Sequence, residues 1–250
     1  MSLILAAVSG AALSLLLIAE RLAPAHHASE GTARLWRNAM LGLFGLGMSF
    51  LVVTPLSLAA AEIGPPWRSD WPFVWRFLGD IVLLEFFLYW WHRANHEIPF
   101  LWRFHGVHHY DEFLDVSSAV RFHPGELAMS AILRASYVLL TDVSAMSILV
   151  FDATVLIAAA FHHSNIALPQ SWDRLLRRVV VTPEHHRIHH RPGRYYTDSN
   201  YGTLSTVFDR LFGSWRDAAP RDPDRRYGVD GVREKRFPAL LTAPFRSRGG

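Results

Sequence analysis

The 250-residue chain contains no cysteine, which removes both disulfides and thiolate metal ligands, so any metal it binds must be held by imidazole or carboxylate. Lysine is almost as scarce. Lys235 is the only one, and nearly all positive charge is arginine, placed near the ends of apolar segments and in the C-terminal third. No basic stripe carries interleaved aromatics outside the apolar segments, so the arginines point to anchoring beside a membrane, with no nucleic acid as partner. Charge is thin altogether: 19% of residues are charged against 50% hydrophobic, a balance unlike that of a soluble domain. Internal repeats and low-complexity tracts are absent.

What is present is a series of apolar stretches. Leu3 to Ala19 has no basic residue before it, and Glu20-Arg21 follow it without a small-residue cleavage site; it reads as a first membrane helix rather than a secretory signal. Ala39 to Ala61 and Phe73 to Trp91 are also long enough for the roughly 20 residues that cross a bilayer core. Leu127 to Leu140 is short, and with Val143 to Phe161 it reads as a helical hairpin, Thr141-Asp142 at its tip, that need not cross fully. The expected fold is an all-α integral membrane helical bundle of about three spanning helices plus a hairpin at 127–161. Residues 1–91 supply the N-terminal transmembrane helices and residues 92–250 a histidine-rich helical cap. Arg21, Arg34 and Arg37 in the first loop place that loop, and with it the cap, on the cytoplasmic side. The composition suggests a bacterial inner membrane. Arg76, Asp80 and Glu85 interrupt the third stretch and should face the bundle interior, either as a buried ion-pair network or in a direct functional role.

The 14 histidines are the feature most in need of a reason. His92 and His96 stand four apart in HRANH, on one helix face. His105, His108 and His109 in HGVHH, and His186, His189 and His190 in HRIHH, each give three imidazoles one aim. His162 and His163 form a further pair in FHHSN. Eight or nine convergent nitrogens exceed one coordination sphere and suit two ions. Imidazole alone does not name the metal; lipid chemistry at a membrane face favours iron, with zinc hydrolysis as an alternative.

At these residues the chain resembles the fatty acid hydroxylase and sterol desaturase superfamily. The likeness runs from about Glu85 to Trp215 through EFFLYWWHRANH, LWRFHGVHH, RFHPGE, FHHSN, TPEHHRIHH and DSNYGTLSTVFDRLFGSW, in the family's order. The resemblance implies a membrane-bound non-haem di-iron oxygenase that hydroxylates or desaturates a lipid with O2. The lipid would be a fatty acid, a sterol-like molecule or another isoprenoid. It implies two Fe ions, for which zinc can substitute in purified protein. Electrons would come from an external donor of ferredoxin, cytochrome b5 or reductase type. The implied metal ligands, which are also the catalytic residues, are His92, His96, His105, His108, His109, His163, His186, His189 and His190, with His162 a possible replacement for His163. His185 is expected to be a neighbour, and His26 and His27 solvated. His123 is expected to orient a ligand through a hydrogen bond more than to bind metal. Glu85, Glu126, Asn165, Asp198, Asn200 and Asp209 are candidates to fix a ligand's tautomer, with turn formation the favoured role for Asp198 and Asn200. Two rivals remain: a non-catalytic membrane metal-binding or transport protein, and a di-haem cytochrome. Transport would spread ligands across the midplane of several spans, and axial haem ligands would sit inside them in single pairs.

Overall fold

The computed structural model describes residues 2–27, 31–217, 226–233 and 236–246. Among them there is no β-strand, only two isolated bridges at Pro24–Ile166 and Val180–Ser205. The apolar stretches form rods: α1 (Ser2–Leu22), α2 (Thr32–Met48), α3 (Thr54–Ile63), α4 (Phe73–Glu97), α5 (Pro99–His109), α6 (Pro124–Thr141) and α7 (Ala145–His163). Shorter helices follow in the cap: α8 (Gln170–Leu176), α9 (Pro183–His189), α10 (Arg194–Thr197), α11 (Val207–Leu211) and α12 (Phe237–Thr242). A π-helical turn, Ser49–Val53, joins α2 to α3 without breaking the rod. Pro55, at the start of α3, has no N–H to return to Leu51, and the ladder widens where that bond is missing.

Three helices are long and apolar enough to cross a membrane: Leu3–Leu22, Thr32–Ile63 and Ala145–His163. Large apolar side chains stay exposed on the first two of them, among them Leu3, Leu15, Leu43, Phe50 and Leu51, and on α6, at Ile132 and Leu140. A water-soluble chain rarely leaves such surface open, whereas hydrocarbon solvates it. The protein is an all-α membrane bundle.

The set of crossing helices differs from the sequence expectation. Phe73–Glu97 is not among the three apolar spans, because Arg76, Asp80 and Glu85 interrupt it. Even so, its 25 residues make a rod about 37 Å long at 1.5 Å per residue, and it runs the full depth of the bundle. The hairpin does the same. Its tip is stapled to the loop between α3 and α4: Arg68, fully buried, donates to Asp80 Oδ1 and the Asp142 carbonyl, both at 2.8 Å. Asp142, in the left-handed region at φ 52°, accepts the Arg68 backbone N–H at 2.6 Å and Arg76 at 3.0 Å. The second carboxylate oxygen of Asp80 takes the Ser144 N–H at 3.0 Å. Of the charges read as intramembrane, Asp80 and the partly buried Arg76 thus join an ion-pair network with Arg68 as its unforeseen centre, whereas Glu85 takes no part in it.

Between the two ends, Ala60, Leu84, Ala135, Val138, Val143, Ile148 and Phe151 pack α3, α4, α6 and α7 into one apolar core. At the opposite end a second polar lock fixes the start of α2 to the loop after α5. Arg34 holds Asp111 through two bonds of 2.7 and 2.8 Å and Asp115 at 2.7 Å, all three side chains being buried. Gly42 lets α2 lie against the 3-10 turn Val116–Val120, since a Cβ there would meet Val120 Cγ2 at 2.6 Å. Glu20, ending α1, accepts the backbone N–H groups of Val116 and Asn165 at 3.1 Å. These ties bring the ends of α1, α5 and α7 to one place, and the end of α4 arrives with α5, which follows it after Ile98 alone.

Candidate metal centre

That place is where the nine candidate histidines meet. His92 and His96 close α4, His105, His108 and His109 close α5, His163 ends α7, and His186, His189 and His190 come from α9 and the residue after it. They divide into two adjacent groups: His92, His96, His105, His109 and His189, and His108, His163, His186 and His190. Within each, one nitrogen per ring lies within 4.8 Å of all the others. The triplet spacing explains the division. His108 faces one group while His105 and His109, one turn apart, face the other; on α9, His189 parts from His186 and His190 in the same way.

The rings carry their own orienting bonds. Nδ1–H of His92 donates to the Tyr201 carbonyl at 2.8 Å, that of His105 to Glu126 Oε1 at 2.9 Å, and that of His108 to the Arg121 carbonyl at 3.3 Å. His163 donates to the Ala159 carbonyl at 2.8 Å and His189 to the Ser199 carbonyl at 2.6 Å. A ring that spends Nδ1–H in this way turns the Nε2 lone pair inward, as metal-ligating histidines do.

The donor set fits metal. Nε2 atoms of His108 and His163, of His163 and His186, and of His186 and His190 are each 3.1 Å apart, and those of His105 and His109 are 3.3 Å apart. Two imidazoles on one first-row ion, each at about 2.1 Å, would be separated by roughly 3.0 Å at a right angle and 3.4 Å at a tetrahedral angle. The nitrogens of His96 and Nε2 of His189 are buried with no hydrogen-bond partner among the described residues. Burial, and after it the neighbouring imidazoles, hold His108, His109, His186, His189 and His190 well below the ordinary histidine range, so these rings are neutral, the form that coordinates a metal.

The remaining histidines lie outside both groups. His162 packs at a tilt against His186, ring centres 4.1 Å apart, and His185 packs on Trp215 at 4.3 Å with its Nε2 3.7 Å from Asp209. His27 is exposed, as expected, but His26 is half-buried and its backbone pairs with the Asn165 side chain. His123 departs from expectation. Rather than orienting a ligand it caps α6, accepting the Gly125 N–H at Nδ1 (2.9 Å) and donating from Nε2 to the Leu241 carbonyl (3.1 Å). Its place before Pro124 makes it a helix N-cap, and that local geometry claims the ring.

Of the acidic and amide candidates, Glu126 alone hydrogen-bonds a grouped imidazole, and Asp198 stands 3.6 Å from His96 Nδ1 while pairing with Arg194. Glu85 takes the Ser205 N–H instead, Asn165 the His26 backbone, and Asn200 forms a turn at φ 54° with bonds to the His185 and Arg216 carbonyls. The four backbone carbonyls that orient His92, His108, His163 and His189 escaped the sequence reading, since main-chain acceptors leave no residue-type signal. Replacing Glu126 with Ala is expected to weaken metal binding about 10- to 100-fold, the usual cost of removing a partner that orients a ligand. Competition against a chelator, read on detergent-purified protein, measures it.

Fold and site together define a polytopic membrane protein with a buried nine-histidine cluster at one end of its helices. A family profile for fatty acid hydroxylase matches residues 77–214, which bracket every histidine of the cluster. The chain belongs to the fatty acid hydroxylase family. It is 28% identical over 220 residues to ornithine lipid hydroxylase OlsE of Rhizobium tropici, covering 85% of this chain and 65% of that one. It is 31% identical to the alkylglycerol monooxygenases of Danio rerio over 172 residues and of Homo sapiens over 153 residues. Those alignments cover 66% and 60% of this chain but only 34% and 32% of the relatives. The chain thus spans about two thirds of the first relative and about a third of the other two. No solved structure matches.

Proposed function

We propose that the chain is a membrane-bound non-haem di-iron oxygenase that hydroxylates, or by loss of a second hydrogen desaturates, the apolar chain of a polar-headed lipid. The observation that carries this reading is the pair of adjacent imidazole groups, nine rings with no cysteine, at the end of a membrane bundle. The names of the relatives, an ornithine lipid hydroxylase and alkylglycerol monooxygenases, support an amphipathic lipid as substrate.

In this reading His92, His96, His105, His109 and His189 hold one ion and His108, His163, His186 and His190 the other. When bound, the ions supply the redox chemistry by which O2, with electrons from a separate donor, attacks an unactivated C–H bond. The protein's own residues hold, orient and dry the site. The Nδ1 bonds to Glu126 and to four carbonyls fix the rings. Trp102 lies over His96 and His109 with ring centres 5.0 and 5.3 Å away, Phe122 stacks on His108 at 4.9 Å, and Tyr201 stands 5.3 Å from His96. Buried Trp102 and Tyr201 and half-buried Phe122 exclude water at these positions and favour a lipid carbon as the neighbour. Grouping at one end, rather than across the midplane, disfavours a transport role.

Untargeted lipid analysis of cells with and without the chain tests the activity. The expected result is a lipid gaining one oxygen atom or losing two hydrogens only in cells that carry the chain; metal-loaded, folded protein with no such product would favour the non-catalytic metal-binding reading. The first-loop arginines support a cytoplasmic histidine cluster in a bacterial inner membrane. Reporters placed in the Gly64 to Asp70 loop and after Gly250 are therefore expected to give opposite locations, periplasmic and cytoplasmic. A periplasmic signal from the C-terminal fusion would reverse the orientation.

A further inference from the structure

We infer that Asp209, which touches no grouped histidine, is a positioning residue for one of the two groups only, and that the two metal sites are therefore separable. The inference rests on the reading of both groups as metal sites. Asp209 is fully buried, and its carboxylate gathers a turn. Oδ1 accepts the Tyr201 N–H at 2.7 Å and the Ser214 hydroxyl at 2.7 Å, while Oδ2 accepts the Gly202 N–H at 3.0 Å. Gly202 is required for so close an approach, because a Cβ there would lie 2.3 Å from the Ser205 carbonyl and 2.8 Å from Asp209 Oδ2.

The turn so held carries two of the orienting carbonyls. Tyr201 O takes Nδ1–H of His92, and Ser199 O takes Nδ1–H of His189, rings that come from two different helices, α4 and α9. Both belong to the five-histidine group. In the four-histidine group, His108 and His163 take their orienting carbonyls from Arg121 and Ala159, on other parts of the chain, and Nδ1 of His186 and of His190 has no partner among the described residues, so none comes from this turn. One carboxylate thus sets two ligands of the first site at once, and its one approach toward the second is to His185, beside His186, at 3.7 Å.

Asn in place of Asp209 keeps the size of the side chain but faces an NH2 donor against one of two backbone N–H donors, so the turn must open. Iron-loaded Asp209→Asn protein in detergent is expected to fall from two ions per chain to one. In Mössbauer spectra the two iron environments should reduce to the one that survives. Asp80→Asn, which breaks the buried pair with Arg68 at the far end, separates this effect from general weakening: it should lower the unfolding temperature yet keep two ions. If Asp209→Asn retained two ions with unchanged spectra, or if it lost both together, the assignment of Asp209 to one site would be wrong. A parent protein holding two ions leaves the metal reading intact in either case, whereas a parent holding none overturns both.

Discussion

Replacing His109 or His190 with alanine is expected to abolish lipid oxidation while leaving the membrane helices folded. The two residues test the two groups separately: His109 Nε2 lies 3.3 Å from His105 Nε2, and His190 Nε2 lies 3.1 Å from His186 Nε2. With no cysteine in the chain and no free carboxylate in either group, nothing replaces the lost nitrogen. A bound metal contributes several kcal/mol to a barrier, and about 1.4 kcal/mol is tenfold in rate, so turnover should fall by roughly a thousandfold or more. Helical content should be retained, because the spans are held by backbone hydrogen bonding and by packing away from the cluster. His27→Ala, at an exposed ring outside both groups, is the control and should keep near-parental turnover. Full oxygen-dependent turnover in both cluster variants would remove the histidines from the chemistry.

The second large effect concerns stability. Arg34→Met is expected to lower the unfolding temperature on the order of 10 °C, because it leaves buried Asp115 without its cation and buried Asp111 with only Arg121, 3.9 Å away, in place of two close bonds. Breaking such a pair from one side costs about 3–5 kcal/mol, and each kcal/mol is worth roughly 2–4 °C in a chain of this size. Burial works to raise the Asp111 carboxyl, but the Arg121 and Arg34 guanidinium groups outweigh it and hold the group below its ordinary value. The same loss should loosen metal, since Asp111 follows α5 two residues after His109 and anchors the end of that helix to α2. An exposed pair gives the contrast: Arg194, 62% exposed beside Asp198, should cost at most about 1 kcal/mol when replaced. Thermal unfolding in detergent, with metal content measured on the same samples, separates the two.

The histidine groups were legible in the sequence because helical spacing alone sets which rings share a face. HRANH and the two H-x-x-H-H triplets each lie on a single helix end, and the nine rings they and His163 supply are the ones brought together. Less legible was the way a triplet divides between groups, which depends on how α5 and α9 cross α4 and α7. His123 was misread because its motif resembled the others while its position before Pro124 fixed it as a cap. Arg68 falls between the second and third apolar stretches, where nothing in the sequence marks it out. Only the folded hairpin shows it fully buried, stapling Asp80 to the tip at Asp142. The hairpin itself looked short because hydropathy begins at Leu127, whereas the helix begins at Pro124 with His123 as its cap. In each case the missing information was a backbone group or a long-range partner, neither of which residue type reveals.

The claim on which the rest depends is that the two imidazole groups hold one ion each. Elemental analysis of detergent-purified protein, expressed with supplemental iron, measures this directly. Two ions per chain are expected, as iron or with zinc in part replacing it, falling to one in His190→Ala. A parent protein that holds no ion, or a single ion that survives the loss of His109 and of His190 alike, would contradict the dinuclear centre.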